Sequence, residues 1–414
     1  MKSDSNIVIK DCGVFSPIGN DVSSICTHLK NGISGIEKLD APIFRNLTTH
    51  HAGIVKNFYL KRFSNTTLND VKSISFVLNA IDAIIEKNEL DFSQKRVGVF
   101  LGTEPPIIDF NEELAFLKKN FDTENNRWNQ NLEVYKYKYC GLKPERILNA
   151  IFNVFNFRGP AFLHFGTCAA SSQALGEAAQ LLKLGVIDYA FVGGVSCKVD
   201  PLSFMRLMRI GALAPTSGDA KKISRPFDKT RCGFTMSEGC IVFLLEKEDR
   251  NFTHHKQNPL GYIKGYGASL DGFSITDPSQ DGMVLSMLRA LKDAKLSPED
   301  VDYINAHGTS TIKNDLCETN AIKQVFKKTI PPISSTKSMH GHLLSAAGAM
   351  EALVSLIAIN NDFIPPTINL KEPDPLCDLN YTPNFSVTKK LRTVLSNSFG
   401  LGGQNSTLIL GKYE

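Results

Sequence analysis

Residues 161–194 read AFLHFGTCAASSQALGEAAQLLKLGVIDYAFVGG. Ala161 to Phe165 is a short run of aromatic and apolar residues, the composition of a strand. From Cys168 to Leu184 alanine and leucine fill most positions, which predicts a helix. Tyr189 to Gly194 is apolar again and ends on two glycines, as a buried strand does. Strand, helix and strand in succession place this stretch in the α/β class.

The same grammar extends in both directions. Ile7-Val8-Ile9 opens a strand closed by Pro17-Ile18-Gly19, and Asp21 can cap a helix running to about Lys30. Between Asp70 and Glu86, Val71, Ile74, Leu78, Ile81 and Ile85 fall at helical spacing. Strands are expected at Val97–Leu101, Ile241–Leu245, Leu260–Tyr266, Val301–Asn305, Thr393–Asn397 and Thr407–Leu410. Met283–Leu291 reads as a helix, and Ser297-Pro298-Glu299-Asp300 as the start of another, with proline at the first position. Leu343–Ile359 is too apolar for a surface helix. The polar stretch from Glu246 to Asn258 suggests a division into halves 1–250 and 251–414.

Composition narrows the function classes. The chain has 414 residues, 42% apolar and 21% charged, with 46 basic and 42 acidic side chains interspersed. Short pairs such as Lys118-Lys119 and Lys221-Lys222 suit solvated faces rather than a nucleic-acid stripe, although a modest positive patch would steer an acidic protein partner. The nine cysteines show no CxxC or Cys/His ligand spacing, so neither a disulfide framework nor a zinc site is expected. Met1-Lys-Ser-Asp-Ser5 leads straight into a strand-like run without a signal-peptide core, and no membrane span is expected. The expected setting is the reducing cytoplasm.

Gly166-Thr-Cys-Ala-Ala-Ser-Ser172 is the chemically suggestive turn. It puts Cys168 at a helix N-terminus, where unpaired N–H groups and the helix dipole are expected to favour a thiolate. A thiolate attacks thioesters readily and leaves readily, which suits acyl shuttling. On its own the signal is weak, because most Cys–Ala stretches are packing.

Four further segments follow in order: Arg225-Pro-Phe-Asp-Lys-Thr-Arg-Cys-Gly-Phe-Thr-Met-Ser-Glu-Gly239, Asn305-Ala-His-Gly-Thr-Ser-Thr311, Ser335-Thr-Lys-Ser-Met-His-Gly-His342 and Asn397-Ser-Phe-Gly-Leu-Gly-Gly403. Together with the cysteine turn they resemble the β-ketoacyl-acyl carrier protein synthases, especially the synthase II type and its polyketide relatives, over nearly the whole chain. The resemblance implies a thiolase fold, five-layered α-β-α-β-α and built from two similar halves. It implies Cys168 as nucleophile, His307 and His342 as the catalytic pair, Lys337 as a supporting lysine, and Asp315 and Glu318 as an acidic pair orienting the His307 loop. The backbone N–H groups of Cys168 and Leu401 would form the oxyanion hole, and Thr309 and Thr311 would contact pantetheine. No metal or cofactor is implied, the substrates riding on the phosphopantetheine of an acyl carrier protein. The partner subunit would be a second copy or a homologous ketosynthase or chain-length-factor chain.

These residue types fit decarboxylative condensation, because two neutral imidazoles can donate N–H bonds to a nascent enolate oxygen. His340 could touch the same site, whereas His164, on the strand before Cys168, reads as packing. The glycine-rich turn at 400–403 follows no phosphate-loop pattern and allows close backbone approach instead. Leu101-Gly-Thr-Glu-Pro-Pro106 stands where synthase II proteins usually carry a glycine-rich stretch, so Glu104 adds a charge and Pro105 and Pro106 stiffen the loop. Residues 111–153 also diverge, Leu401 replaces a phenylalanine, and Thr167 replaces an alanine. These departures favour a specialised polyketide or polyene pathway over housekeeping fatty-acid elongation. A non-catalytic chain-length-factor role conflicts with the presence of Cys168, and a thiolase role with the lack of a second cysteine motif near the C-terminus.

Overall fold

The computed structural model describes residues 6–104, 146–248 and 258–413, apart from 67, 70, 273 and 275, together with a few positions between 118 and 128. Asp70, Pro105, Pro106, Cys140, most of the divergent 111–153 stretch and most of the proposed linker lie outside the described residues.

Ten strands form the main sheet. They are β1 (Ile7–Phe15), β2 (Val97–Gly102), β3 (Ala161–His164), β4 (Tyr189–Ser196), β5 (Gly239–Lys247), β6 (Gly261–Leu270), β7 (Tyr303–Asn305), β8 (Ile333–Ser334), β9 (Thr393–Gly400) and β10 (Gln404–Gly411). Their lateral order is β8-β7-β9-β10-β6-β1-β5-β4-β2-β3. The order contains a repeat. Numbering the first five strands 1 to 5, they lie 3-2-4-5-1; the last five lie in the same order, mirrored about the antiparallel β1·β6 pair. The pairing sense repeats as well. β3·β2 and β2·β4 are parallel while β4·β5 and β5·β1 are antiparallel, and β8·β7, β7·β9, β9·β10 and β10·β6 follow suit.

The helices are α1 (Val22–Asn31), α2 (Lys72–Asn88), α3 (Arg146–Phe155), α4 (Ala170–Lys183), α5 (Pro201–Arg209), α6 (Gln280–Ala294), α7 (Ile312–Phe326), α8 (Lys337–His340) and α9 (Ala347–Asn360). Alternating side chains explain why the strands read as unbroken apolar runs. On β5, Ile241, Phe243 and Leu245 join a central core with α4 and α9, while Cys240, Val242 and Leu244 join an outer core with α2 and α3. On β10, Leu408 and Leu410 face the same central core, and Ile409 faces a second outer core with α6 and α7. Helices, sheet, helices, sheet, helices: this is the five-layered arrangement expected.

α4 and α9 share the middle layer, which is why both are so apolar. Leu344–Asn361 is apolar enough to cross a membrane (mean hydropathy 1.3), yet it is mostly buried between the sheets. The two helices meet closely at their N-termini. A Cβ on Gly348 would sit 2.7 Å from Ser172 Cβ, and Ala349 N–H donates to Ser171 Oγ at 2.9 Å. That close approach brings the turns preceding both helices together.

Asp21 caps α1 as expected, accepting from Ser24 N–H at 2.8 Å. Ser297 does not start a helix. Its capping box with Asp300 closes only a single 3₁₀ turn over Pro298–Asp300, because the chain enters β7 immediately afterwards. Helices α5 and α7 had no counterpart in the sequence reading. Their apolar faces are short and are interrupted by basic or polar residues.

Candidate active site

Cys168 sits in a 3₁₀ turn, Thr167–Ala169, that leads into α4. Thr167 is held at φ +49°, a left-handed conformation costly for a β-branched residue. Gly400 packs against this turn so tightly that a Cβ there would lie 2.1 Å from Thr167 Oγ1. Thr167 Oγ1 donates to Leu401 O at 3.2 Å, tying the glycine-rich turn to the cysteine turn. The N–H groups of Leu401 and of Cys168 itself both lie against the sulfur.

Burial outweighs the backbone donors at the helix start, which do pull the Cys168 thiol down as expected. Burial pushes the Cys168 thiol up to about 11; Lys337 and the backbone donors pull it down, and Glu104 pushes it further up. Desolvation of a thiolate outweighs one helix end.

His307 follows β7 by two residues. Its backbone N–H and that of Gly308 donate to the two oxygens of Glu318, at 2.9 and 2.8 Å, and Asn397 Nδ2 donates to Glu318 at 3.1 Å. Glu318 thus grips the loop that carries the ring. Burial lifts its pKa to about 7. Asp315 works one step further out, accepting from Phe227 N–H at 2.9 Å and facing Arg231 at 3.5 Å, so it joins the Arg225–Gly239 segment to the start of α7.

Lys337 Nζ contacts His307 Nδ1 at 3.2 Å and His307 O at 2.6 Å, and pairs with Glu351. Its three N–H bonds have three acceptors. Glu351 was not foreseen. The signal was one acidic residue in the otherwise apolar α9, which nothing but a buried cation could accommodate. Burial lowers the Lys337 ammonium to about 7.

His342 Nδ1 accepts the N–H of Leu344 at 3.1 Å. Donors therefore face Nδ1 of both rings, and the ring protons sit on Nε2. The rings lie edge to face with centroids 5.3 Å apart, and both titrate well below 6.5, chiefly through burial and then through Lys337. One ligating atom from each of Cys168, His307 and His342 falls within 4.8 Å of the others. That spacing would suit a soft metal, but a ligating imidazole donates its other N–H to an acceptor. Here both Nδ1 atoms face donors, so the trio is polarised for giving protons from Nε2.

The three side chains open on a cavity of about 330 Å³ that Thr309, Thr311, Leu401 and Phe399 also line. Thr309 and Thr311 hydroxyls touch at 2.9 Å, and Thr311 also caps α7. His340 is absent from the cavity lining. Its Nε2 meets Thr336 Oγ1 at 2.9 Å and its Nδ1 meets Gly341 O at 2.7 Å, so both nitrogens are engaged elsewhere. His164 is also outside the lining; its Nδ1 lies 3.8 Å from Glu177, and its Nε2 is buried without a partner.

Known proteins match this arrangement along the whole chain. The family profile described as "Beta-ketoacyl synthase, N-terminal domain" matches residues 4–251, and "Beta-ketoacyl synthase, C-terminal domain" matches 260–371. A 3-oxoacyl-[acyl-carrier-protein] synthase 2 from Synechocystis is 35% identical over 430 residues, covering 99% of this chain and 98% of its own. One from Coxiella burnetii is 33% identical over 431 residues, covering 98% of each. Among solved structures, a type II polyketide acyl carrier protein complexed with its ketosynthase bound to the hexaketide matches with TM-score 0.88 and 28% identity, covering 99% of this chain and 100% of that one. A β-ketoacyl synthase from Burkholderia phymatum matches with TM-score 0.87 and 25% identity, covering 99% and 100%.

Proposed function

The chain belongs to the β-ketoacyl synthase family, and from that premise we propose that it condenses an acyl group held on Cys168 with a malonyl group delivered by an acyl carrier protein. The observation that carries the reading is the convergence of the Cys168 sulfur with two imidazoles polarised to donate from Nε2, at the base of one cavity.

Cys168 Sγ attacks the acyl thioester carbonyl. The carbon–sulfur bond to pantetheine breaks, and the pantetheine thiol leaves with the proton given up by Cys168. The carbonyl oxygen, negative in the tetrahedral intermediate, is met by the N–H groups of Cys168 and Leu401. The malonyl thioester then enters beside Thr309 and Thr311. Its carbon–carboxylate bond breaks, CO₂ departs, and the electron pair collects on the thioester oxygen as an enolate facing Nε2–H of His307 and His342. The enolate carbon attacks the acyl-cysteine carbonyl, a carbon–carbon bond forms, and Cys168 leaves as a sulfur anion that regains a proton. Lys337, with Glu351, holds the His307 ring proton on Nε2, and Glu318 fixes the loop. No step requires a metal or redox cofactor.

The solved relatives named as a ketosynthase with its acyl carrier protein, and as ketosynthase and chain-length-factor pairs, support a carrier-protein partner and a homologous or identical second subunit. They favour a polyketide or polyene pathway; the synthase 2 relatives keep fatty-acid elongation as the second reading. Free cysteines suit a reducing cytoplasm. Intact-protein mass spectrometry after incubation with acyl-carrier thioesters tests the reading. A single acyl adduct on Cys168, discharged as a β-ketoacyl product when malonyl-carrier is added, is expected. An unmodified cysteine with every acyl donor would overturn it.

A further inference from the structure

The internal repeat pairs residues that the chain keeps far apart. β2 and β7 occupy the same position in their halves, and two residues past their ends stand Glu104 and His307. α4 and α9 also correspond. Each is entered through a 3₁₀ turn whose first residue has left-handed φ, Thr167 at +49° and Leu344 at +48°. The second residues of those turns are Cys168 and Ser345. Glu104 and Ser345 are thus the counterparts of His307 and Cys168, with the chemistry replaced.

The pair is built as a clasp. Glu104 Oε1 accepts from Ser345 N–H at 3.0 Å and from Ser345 Oγ at 2.6 Å, and Ser345 Oγ also meets Val195 O at 3.1 Å. Neither Glu104 nor Ser345 lines the reaction cavity, but Leu344 between Ser345 and the histidine does. Leu344 is strained, and its N–H is the donor that meets His342 Nδ1. The Ser345 clasp thus adjoins the strained residue whose N–H fixes the imidazole tautomer.

We propose that Glu104 is a positioning residue which, by clasping Ser345 from the opposite half, holds the Leu344 N–H on His342 Nδ1 and so keeps the Nε2 proton aimed at the enolate oxygen. The inference rests on the condensing reaction proposed above. Glu104 acts through two intervening residues and touches no reacting atom.

Two assays on each variant separate the roles: malonyl-carrier decarboxylation, which needs the histidines, and iodoacetamide alkylation of Cys168 against pH, which needs only the sulfur. Glu104→Ala is expected to slow decarboxylation kcat at least tenfold with KM within threefold, while alkylation of Cys168 persists. Glu104→Gln keeps an acceptor for Ser345 without the charge. It should restore decarboxylation to within threefold of wild type. Ser345→Ala should slow decarboxylation while alkylation of Cys168 persists. Decarboxylation unchanged in Glu104→Ala, or a glutamine variant no better than alanine, overturns the proposal. So does a loss of decarboxylation accompanied by faster alkylation of Cys168, the mark of unfolding that exposes the buried thiol. A wild-type protein that neither loads Cys168 nor decarboxylates malonyl-carrier defeats the condensing reading itself, a separate outcome.

Discussion

The turn before α4 and the turn before α9 are built alike and do different work. Both begin with a strained left-handed residue, both run through a 3₁₀ turn into a middle-layer helix, and both pack against the other. The first exposes Cys168 to the cavity. The second seals Ser345 under Glu104 and instead presents His342, three residues earlier. The second residue of the turn can be a nucleophile only where the facing strand-2 loop leaves it room and imidazole donors stand opposite. One half keeps the sulfur, the other keeps the rings, and the reaction requires both.

That division can be broken from the nucleophile side. Cys168→Ala should abolish acyl loading and reduce condensation by about 10³-fold or more, while malonyl decarboxylation persists, because the rings that face the enolate come from the second half and the sulfur takes no part in that step. Carbon dioxide release and product formation measured in parallel check this. A decarboxylation rate that collapses with the cysteine would mean that the halves are not separable.

From the other side, His342→Ala should cost decarboxylation about 10²- to 10³-fold, the loss of one preorganised donor. Alkylation of Cys168 should continue, and in the wild type should climb with pH toward about 11, where the buried thiol ionises. Both rings should stay neutral as pH falls through 6.5, since they titrate well below that value, so any fall in decarboxylation near pH 7 reports protonation of Glu318, which grips the His307 loop. Stability should also respond. The unfolded imidazoles take up protons below 6.5 while the buried ones refuse them, so folding free energy that is intact above 6.5 is lost as pH drops further. Thermal denaturation between pH 7 and pH 5 reads this directly.

Glu351→Gln sharpens the support of the second half. It leaves Lys337 buried without its counter-ion, and should cost about 3–5 kcal/mol of stability, seen as a lowered Tm. It should also loosen the donor behind His307 and depress decarboxylation. The smallest effect is expected at His340→Asn. That ring bonds only Thr336 and Gly341 and lies outside the cavity, so kcat should stay within about twofold, an exchange costing under about 1 kcal/mol at the transition state.

Much of this was legible in the chain. Strand positions could be read because both faces of each sheet are covered, so a buried strand such as Ile241–Leu245 is apolar without interruption. Cys168, His307, Lys337 and His342 could be named because each sits in a distinctive local motif. Glu351 and α7 were missed for the opposite reason. One acid in an apolar helix and a weakly amphipathic segment carry no local pattern, and their meaning depends on what lies across the fold.

The sequence by itself determined the α/β layering, the reacting residue types and their order, since periodicity and motif spacing are local properties of the chain. Only the tertiary structure decided that the Cys168 thiol is raised rather than lowered, that both imidazole protons rest on Nε2, and that Glu104 reaches Ser345 in the opposite half. Protonation and tautomer follow from burial and from the donors that face each atom, and both depend on how the folded segments pack, in the case of Glu104 and Ser345 across 241 residues of chain.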